Sequence, residues 1–363
     1  MTNPYQGSSP LFRSALDPDD VEPPPVPTDR VTPTADTFTR DGWQKQATQP
    51  KRKPRWWIPG DAERVRAAAE QERKAALVAT PFSTPKTVVV ANTKGGASKT
   101  TVSVLLASAL GEWSGRQVAL IDNNPTGTLR SRLPYVPESP PSLADLAEAM
   151  DAIMSAGGDP VSLQRYMLYQ SSNKFSALVA RIEATHMENG MRVLNEPTLS
   201  LQQYVDAARL IARQYPFTVV DSGNNNRDSQ WLGSISLADA LVIATSWDKD
   251  GLQGVSDMLR TEFELGEQGG VDHQQLAQRA IIVTSQGPGE IVEYNKLMAE
   301  AWWDKWGFTH LIIPTDPAIK NGEPIIWSQL SQATRDVALS ICAELATRFI
   351  DRDHASAPRL HAV

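Results

Sequence analysis

Cysteine is almost absent from this 363-residue chain, in which Cys342 stands alone. One thiol can build neither a disulfide framework nor a cysteine-rich metal site, so we expect a reduced, cytoplasmic protein. No apolar run approaches the ~20 residues of a membrane span, which argues against integral membrane association. The opening MTNPYQGSSP has no basic region followed by an apolar one, so we expect no secretory signal.

Positive charge is also scarce: 35 lysines and arginines face 42 acids, a formal net charge of −7. That balance argues against a uniformly basic nucleic-acid binder. Contact with non-specific DNA is then expected only at a local basic patch. The five histidines show no metal-ligand spacing: His186, His273, His310, His354 and His361. Hydrophobic residues make up 41% of the chain, enough to bury a core.

Proline, in contrast, is concentrated at the start, where 11 of the 26 prolines lie in the first 60 residues. Residues 1–54 show no helical or strand period, and we predict a disordered, proline-rich N-terminal arm. It ends in a basic block from Lys45 to Arg55 beside Trp56 and Trp57. That block is either a contact for a protein partner, DNA or an anionic surface, or a solvated linker.

Short apolar runs alternate with helical patterns beyond residue 86, which is typical of a doubly wound α/β fold with a mostly parallel sheet. We assign 55–85 to a linker with a helix at 61–79, 86–351 to this domain and 352–363 to a flexible tail. Strands are predicted at 87–92, 116–122, 191–195, 217–222, 240–245, 280–285 and 310–314. The predicted domain helices are 102–113, 142–156, 161–170, 174–187, 201–214, 251–265, 290–306 and 328–350.

The loop after the first strand carries the chemistry and reads KGGASKTT from Lys94 to Thr101. It departs from the usual G-x-x-x-x-G-K-[ST] phosphate loop, with Thr93 and Ser98 at the two glycine positions. The physical requirements are still met, because Gly95 and Gly96 let backbone N–H groups approach phosphate and a helix begins directly afterwards. Lys99 supplies charge for the β- and γ-phosphates, and Thr100 supplies a hydroxyl for Mg²⁺.

KGGASKTT resembles the deviant phosphate loop, KGGxGKTT, of the ParA/MinD family of ATPases. The run IDNNPTG (121–127) is similar to the first switch of that family, usually D-x-D-P-Q-G. VVDSG (219–223) resembles its magnesium-binding strand and second switch, and IIPTDPAIKNGEPI (312–325) resembles the segment over the nucleotide base. The resemblance covers about residues 86–350, with the four motifs in the order of the family.

Membership in this family implies an ATP-dependent homodimer that acts as a molecular switch, with ATP and Mg²⁺ as cofactors. Lys94 would reach the γ-phosphate of the partner chain, as an arginine finger does. The second acid of the first switch, which orients the attacking water, is replaced here by Asn124, so we expect slow hydrolysis. The implied site comprises catalytic Lys94, Asp122 and Asn124, the nucleotide-binding residues Lys94, Gly95, Gly96, Ala97, Ser98, Lys99, Thr100, Thr101, Pro314 and Asp316, and the metal ligands Thr100 and Asp221.

A narrower resemblance leaves several processes open. The proline-rich arm, the basic block and DNNPTGTL are similar to the EspI-like, MinD-like ATPases of type VII (ESX) secretion, and plasmid ParA-like proteins of partition or conjugal transfer are neighbours. Thr245-Ser246-Trp247-Asp248 lacks the lysine of a guanine motif, which favours ATP over GTP. A dimeric nucleotide-binding scaffold with little or no hydrolysis is the alternative, and a small-molecule kinase or synthetase on the same loop is a third.

Overall fold

The computed structural model describes residues 61–124, 127–155, 157, 160–181, 186–188, 191–193, 199–266, 273–286, 293–319 and 322–356. The predicted arm at 1–54 lies outside the described residues, as do the start of the 55–85 linker and the end of the 352–363 tail. The predictions of disorder and of a protein partner for the arm therefore stay predictions.

Eight strands of the described chain form one sheet in the order β10-β9-β8-β1-β7-β2-β4-β3, in which only β3 runs antiparallel to its neighbour. β5 and β6 pair separately as a two-stranded ribbon. The central strands are buried on both faces, which explains their near-continuous apolar sequences. The strands are β1 Lys86–Ala91, β2 Val118–Asn123, β3 Leu168–Gln170, β4 Phe175–Leu178, β5 His186–Glu188, β6 Met191–Val193, β7 Phe217–Ser222, β8 Ala240–Thr245, β9 Ile281–Ser285 and β10 Thr309–Ile313.

Helices cover both faces of the sheet, because successive side chains of a strand point to opposite sides. Val88 and Val90 pack in one core with α1, α2 and α10, whereas Val89 and Ala91 pack in another with α6, α7, α8 and α9. The helices are α1 Asp61–Ala79, α2 Lys99–Ser114, α3 Leu143–Ser155, α4 Pro160–Gln164, α5 Leu201–Ala212, α6 Ser229–Ser236, α7 Lys249–Gly266, α8 His273–Gln278, α9 Glu293–Trp306 and α10 Gln332–Ser356. Short 3-10 helices lie at Thr128–Arg132 and Trp327–Gln329.

Parallel strands that alternate with helices confirm the predicted doubly wound architecture, and most of the predicted strands and helices lie within a few residues of their expected bounds. Among the described residues, no helix is both long enough and apolar enough to cross a bilayer.

Two predicted helices were wrong. The segment predicted as a helix at 174–187 contains β4, and only the first part of 161–170 is helical, since β3 takes its end. β4 pairs with β2 and buries Phe175 and Leu178, so tertiary pairing overrides the helical propensity of the segment. The predicted strand at 191–195 forms as β6 but belongs to the separate ribbon, and α6 and α8 were not predicted.

Helix α1 packs against the domain through its second half. Val78 is fully buried in the core shared with α2 and α10, and residues 63–69 are exposed. Arg116, just beyond α2, donates hydrogen bonds to the carbonyl oxygens of Ala79 (3.2 Å) and Thr80 (2.8 Å), which fixes the end of α1. The segment before β1 therefore packs against the phosphate-loop helix α2 and is hydrogen-bonded to Arg116 at its end.

We expect Val78→Ala to lower the free energy of unfolding by about 1.5–3 kcal/mol, because a buried valine loses two methyl groups from a packed core. Val65 lies on the same helix but is 67% exposed, so Val65→Ala should change stability by less than about 0.5 kcal/mol. Urea unfolding of both variants measures the difference. Equal effects of the two substitutions would show that α1 is not part of the cooperative unit.

Candidate nucleotide-binding site

The phosphate loop leaves β1 and turns into α2 with the geometry that the sequence predicts. Gly96 and Ser98 both adopt left-handed backbone conformations, with φ of 77° and 63°. Gly95 and Gly96 are exposed at the surface of the loop, whereas Ala97 and Thr101 are buried and Thr100 is half-buried. Ser98 thus takes the conformation that a glycine would supply at its position, and α2 begins at the next residue.

Lys99 folds back over the loop at the first position of α2. Its Nζ donates to the carbonyl oxygen of Lys94 at 3.0 Å and to the Oδ1 of Asn224. Burial lowers the pKa of Lys99 to about 8, while the charge of Asp221 acts in the opposite direction. Both acceptors are uncharged oxygens, which a phosphate oxygen would replace with a stronger, charge-assisted hydrogen bond.

The backbone of Lys94 is fixed by the side chain of Asn92. Its backbone N–H donates to Asn92 Oδ1 at 2.9 Å, and the Asn92 amide donates to the carbonyl oxygens of Ala244 and Gly251. Both Asn92 and Lys94 lie against Gly254 of α7, where an added Cβ would be 2.1 Å from Asn92 Oδ1 and 2.8 Å from Lys94 Cγ. The absence of a side chain at Gly254 therefore makes room first for the Asn92 amide and then for the stem of the half-buried Lys94.

Two buried carboxylates face each other at the carboxyl ends of neighbouring strands. Asp122 on β2 and Asp221 on β7 are in register, and both are fully buried. Burial, followed by the charge of the neighbouring Asp221, raises the pKa of Asp122. Burial also raises the pKa of Asp221. The hydroxyls of Thr100 and Ser103 and the charge of Lys99 act in the opposite direction but do not outweigh burial. A positive ligand at this edge would stabilise the charged forms of both acids.

Asp221 has an oxygen available for such a ligand. Ser103 donates to its Oδ1 at 3.2 Å, whereas Oδ2 is buried with no hydrogen-bond partner in the described structure. No cluster of three or more His, Cys, Asp or Glu residues forms a self-contained metal site in the described chain. The arrangement fits Mg²⁺, which typically takes one or two protein oxygens and completes its shell with water and phosphate. Asp221 and Thr100 are the residues that would hold it.

Asn124 is buried and takes part in a chain of hydrogen bonds that ends at the phosphate loop. Its backbone N–H donates to Asp122 Oδ1, and its side-chain amide donates to Thr128 Oγ1 at 3.1 Å. Thr128 Oγ1 is in turn 3.0 Å from Thr100 Oγ1. The predicted catalytic asparagine therefore lies within two hydrogen bonds of the predicted metal-binding threonine.

Pro314 and Asp316 follow β10, in the segment predicted to cover the base. The Asp316 carboxylate accepts hydrogen bonds from the N–H groups of Ala318 and Ser331 and from the hydroxyl of Thr334 at 2.6 Å. Burial would raise the pKa of Asp316, but these hydrogen bonds outweigh it and lower the pKa. The side chain thus shapes the loop, and direct contact of this residue with nucleotide stays a prediction.

Two residues of the site escaped the sequence analysis. Asn224 follows the second switch by one residue, close enough to the VVDSG motif to have been included. Arg132 donates to Thr101 Oγ1 at 2.7 Å, and its position carries no recognised motif.

Asp248, from the segment compared with a guanine motif, accepts the Gly251 N–H at 2.8 Å and so caps the start of α7.

Replacing Ser98 by glycine should stabilise the protein. A left-handed serine is strained, its side chain makes no capping hydrogen bond, and glycine removes the strain. After the greater freedom of glycine in the unfolded chain is deducted, we expect a gain of about 0.5–1 kcal/mol. Ser256→Gly, the same change inside α7, should instead cost about 0.5–1 kcal/mol. Urea unfolding that gives both variants the same sign would contradict this explanation.

Comparison with known proteins agrees with this geometry. The family model AAA_31, an AAA domain, matches residues 85–270, just over half of the chain. The sporulation initiation inhibitor Soj of Bacillus subtilis is 24% identical over 177 residues, which cover 48% of this chain and 64% of Soj. The chain therefore matches somewhat less than two thirds of the length of this relative.

One solved structure shows the same fold: an ATP complex of a McdA variant from Cyanothece has a TM-score of 0.52 at 18% identity and covers 73% of this chain and 98% of its own. A ParA family ATPase from Chlorobium tepidum is among the other similar structures, with a TM-score of 0.49 at 17% identity over 74% of this chain and 98% of its own. With the family match, the phosphate loop and the paired strand-end acids taken together, the chain belongs to the ParA/MinD family of P-loop ATPases.

Proposed function

We propose that this protein is an ATP-dependent dimerising switch that positions or assembles a partner complex in DNA partition, conjugation or type VII secretion. One observation carries the proposal: a buried lysine and a buried carboxylate with an unpartnered oxygen meet at the N-terminus of α2. A helix N-terminus with an adjacent lysine binds phosphate, and a free carboxylate oxygen beside it suits the accompanying cation.

The roles of the residues follow from their positions. Lys99 would exchange its hydrogen bonds to Lys94 and Asn224 for the β- and γ-phosphates, and the loop N–H groups would hold the same oxygens. Mg²⁺, when bound by Thr100 and Asp221, would neutralise charge on the phosphates. Release of Asn224 from Lys99 would free the second switch, so phosphate binding and the position of that segment are linked.

Lys94 is the residue that we assign to the partner chain. Lys94 is half-buried, and its Cγ lies beside Gly254 of α7. In a face-to-face dimer it would extend to the γ-phosphate of the other chain and stabilise the charge that develops during transfer. ATP would then join two chains, and hydrolysis would separate them.

Hydrolysis should be slow because of Asn124. Its side-chain N–H group donates to Thr128, whose hydroxyl lies 3.0 Å from that of Thr100, so Asn124 lies beside the proposed metal site. An amide oxygen accepts a hydrogen bond but carries no charge and is a poor base. This residue also favours the second candidate function, a nucleotide-dependent dimeric scaffold with little hydrolysis.

A pair of lysine variants separates ATP binding from dimerisation. Lys99→Ala removes the cation over the loop, and we expect ATP affinity to fall about 100-fold or more. Lys94→Ala should retain ATP affinity but weaken dimer formation by about 2–5 kcal/mol, since a cross-subunit charge contact is lost. Isothermal titration measures affinity, and sedimentation with Mg²⁺-ATP at micromolar protein measures the dimer.

Each lysine variant serves as the control of the other, because both remove one cation from the same loop. Unchanged ATP affinity in a folded Lys99→Ala protein would refute the binding site. A Lys94→Ala dimer as tight as the wild-type dimer would refute the role of Lys94 across the interface.

The variant Asn124→Asp tests whether Asn124 makes ATP hydrolysis slow. Restoring a carboxylate should raise basal ATPase activity by about 100-fold, the low end of the usual general-base contribution, because phosphoryl transfer relies mainly on positioning. ATP affinity should change little, since Asn124 does not belong to the loop that holds the phosphates. A variant no faster than the wild type in a steady-state phosphate-release assay would show that another group positions the water.

A further inference from the structure

The 3-10 helix Thr128–Arg132 runs alongside the first turn of α2 and contacts it at both ends. At its start, Thr128 Oγ1 lies 3.0 Å from Thr100 Oγ1, and at its end an Arg132 Nη donates to Thr101 Oγ1 at 2.7 Å. Two adjacent hydroxyls of the phosphate-loop helix are therefore contacted by two residues of this one short element. The Thr100 contact belongs to the proposed metal site, but the function proposed above assigns no role to Arg132.

Arg132 also joins the 3-10 helix to the segment that precedes α10. Its second Nη donates to the carbonyl oxygen of Glu323 at 3.1 Å, and its own carbonyl oxygen accepts the Ile325 N–H at 3.0 Å. Glu323 and Ile325 lie in the stretch 312–325 that the sequence analysis places over the base. One guanidinium thus bridges the start of α2 and the base-side segment.

Arg132 is half-buried, and this partial burial lowers the pKa of its guanidinium. Its hydrogen bonds to Thr101 and Glu323 are both to uncharged oxygens. A planar guanidinium gains more from the paired oxygens of a phosphate than from a hydroxyl and a carbonyl. The position of Arg132 is accordingly electrostatically suited to an anion that reaches the Thr101 end of the turn.

The order of residues along α2 identifies which part of a nucleotide would lie there. The phosphate-loop lysine serves the β- and γ-phosphates, while the backbone N–H groups that open the helix hold the α- and β-phosphates. Thr101 lies two residues beyond Lys99, towards the base-side segment that Arg132 also contacts. The anionic group that would lie beside Thr101 and Arg132 is therefore the α-phosphate.

We propose that Arg132 binds the α-phosphate of the nucleotide and, through Glu323, holds the base-side segment against it. This inference rests on the ATP binding proposed above. It makes Arg132 a determinant of affinity for ATP and ADP alike, because both nucleotides carry the α-phosphate, and it leaves the γ-phosphate to Lys94 and Lys99.

Arg132→Gln in the full-length protein tests this directly, with Mg²⁺-ATP and Mg²⁺-ADP as separate ligands in isothermal titration. We expect affinity for both nucleotides to fall about 10- to 100-fold, with the ATP-to-ADP affinity ratio unchanged. Arg132→Lys keeps the charge and should recover part of the loss. Raising the salt concentration should weaken nucleotide binding less steeply in Arg132→Gln than in the wild type.

Arg116→Gln is the matched control. Arg116 likewise makes two guanidinium hydrogen bonds to uncharged oxygens, both of them backbone carbonyls, but it does so at the opposite end of α2, so its loss should leave nucleotide affinity and salt dependence at wild-type values. Wild-type affinity in Arg132→Gln, a loss confined to ATP, or an equal loss in Arg116→Gln would overturn the inference while leaving ATP binding intact. A wild-type protein that binds neither nucleotide would overturn the proposed function and this inference together.

Discussion

Burial of α2 sets the position of the phosphate loop and of the groups around it. The helix is buried along nearly its whole length, from Lys99 to Ser114, and a helix that is apolar on all sides has to be enclosed. The sheet covers one side, and α1 and α10 cover another. This enclosure fixes the direction of the helix axis, so its N-terminus and the phosphate loop are held at the carboxyl edge of β1, next to the strand-end acid of β7 and one strand away from that of β2.

Charge is then concentrated where the enclosed helix begins. Lys99, Asp122 and Asp221 are all buried, and burying charges without full compensation destabilises the folded protein. The shifts of their pKa values towards neutral forms record that cost. A site that is strained in this way without ligands gains most when phosphate and a cation arrive together, which is the behaviour expected of a switch whose stable dimer requires nucleotide.

The first switch is connected to the rest of the site by short polar contacts. Asn124, Thr128 and Thr100 form one chain of hydrogen bonds, and Arg132 connects the same short helix to Thr101 and Glu323. These six residues form a connected set of contacts from the first switch to the base-side segment. Phosphate contacts and switch position are in this way properties of one connected element rather than of separate loops.

The parallel α/β class, the phosphate loop despite its two missing glycines, and the strand-end acids could all be predicted from the sequence, because continuous apolar strands and a Gly-Gly-x-x-Lys-Thr turn are local signals. The helix predicted at 174–187 was wrong, because β4 pairs with β2, a strand that is distant in the chain. The shared register of Asp122 and Asp221, the space that Gly254 leaves for Asn92 and Lys94, and the contacts of Arg132 with Thr101 and of Asn224 with Lys99 became visible in the folded chain alone. These contacts join residues about 30 to 160 positions apart, and no periodicity or motif within one segment specifies a distance between segments.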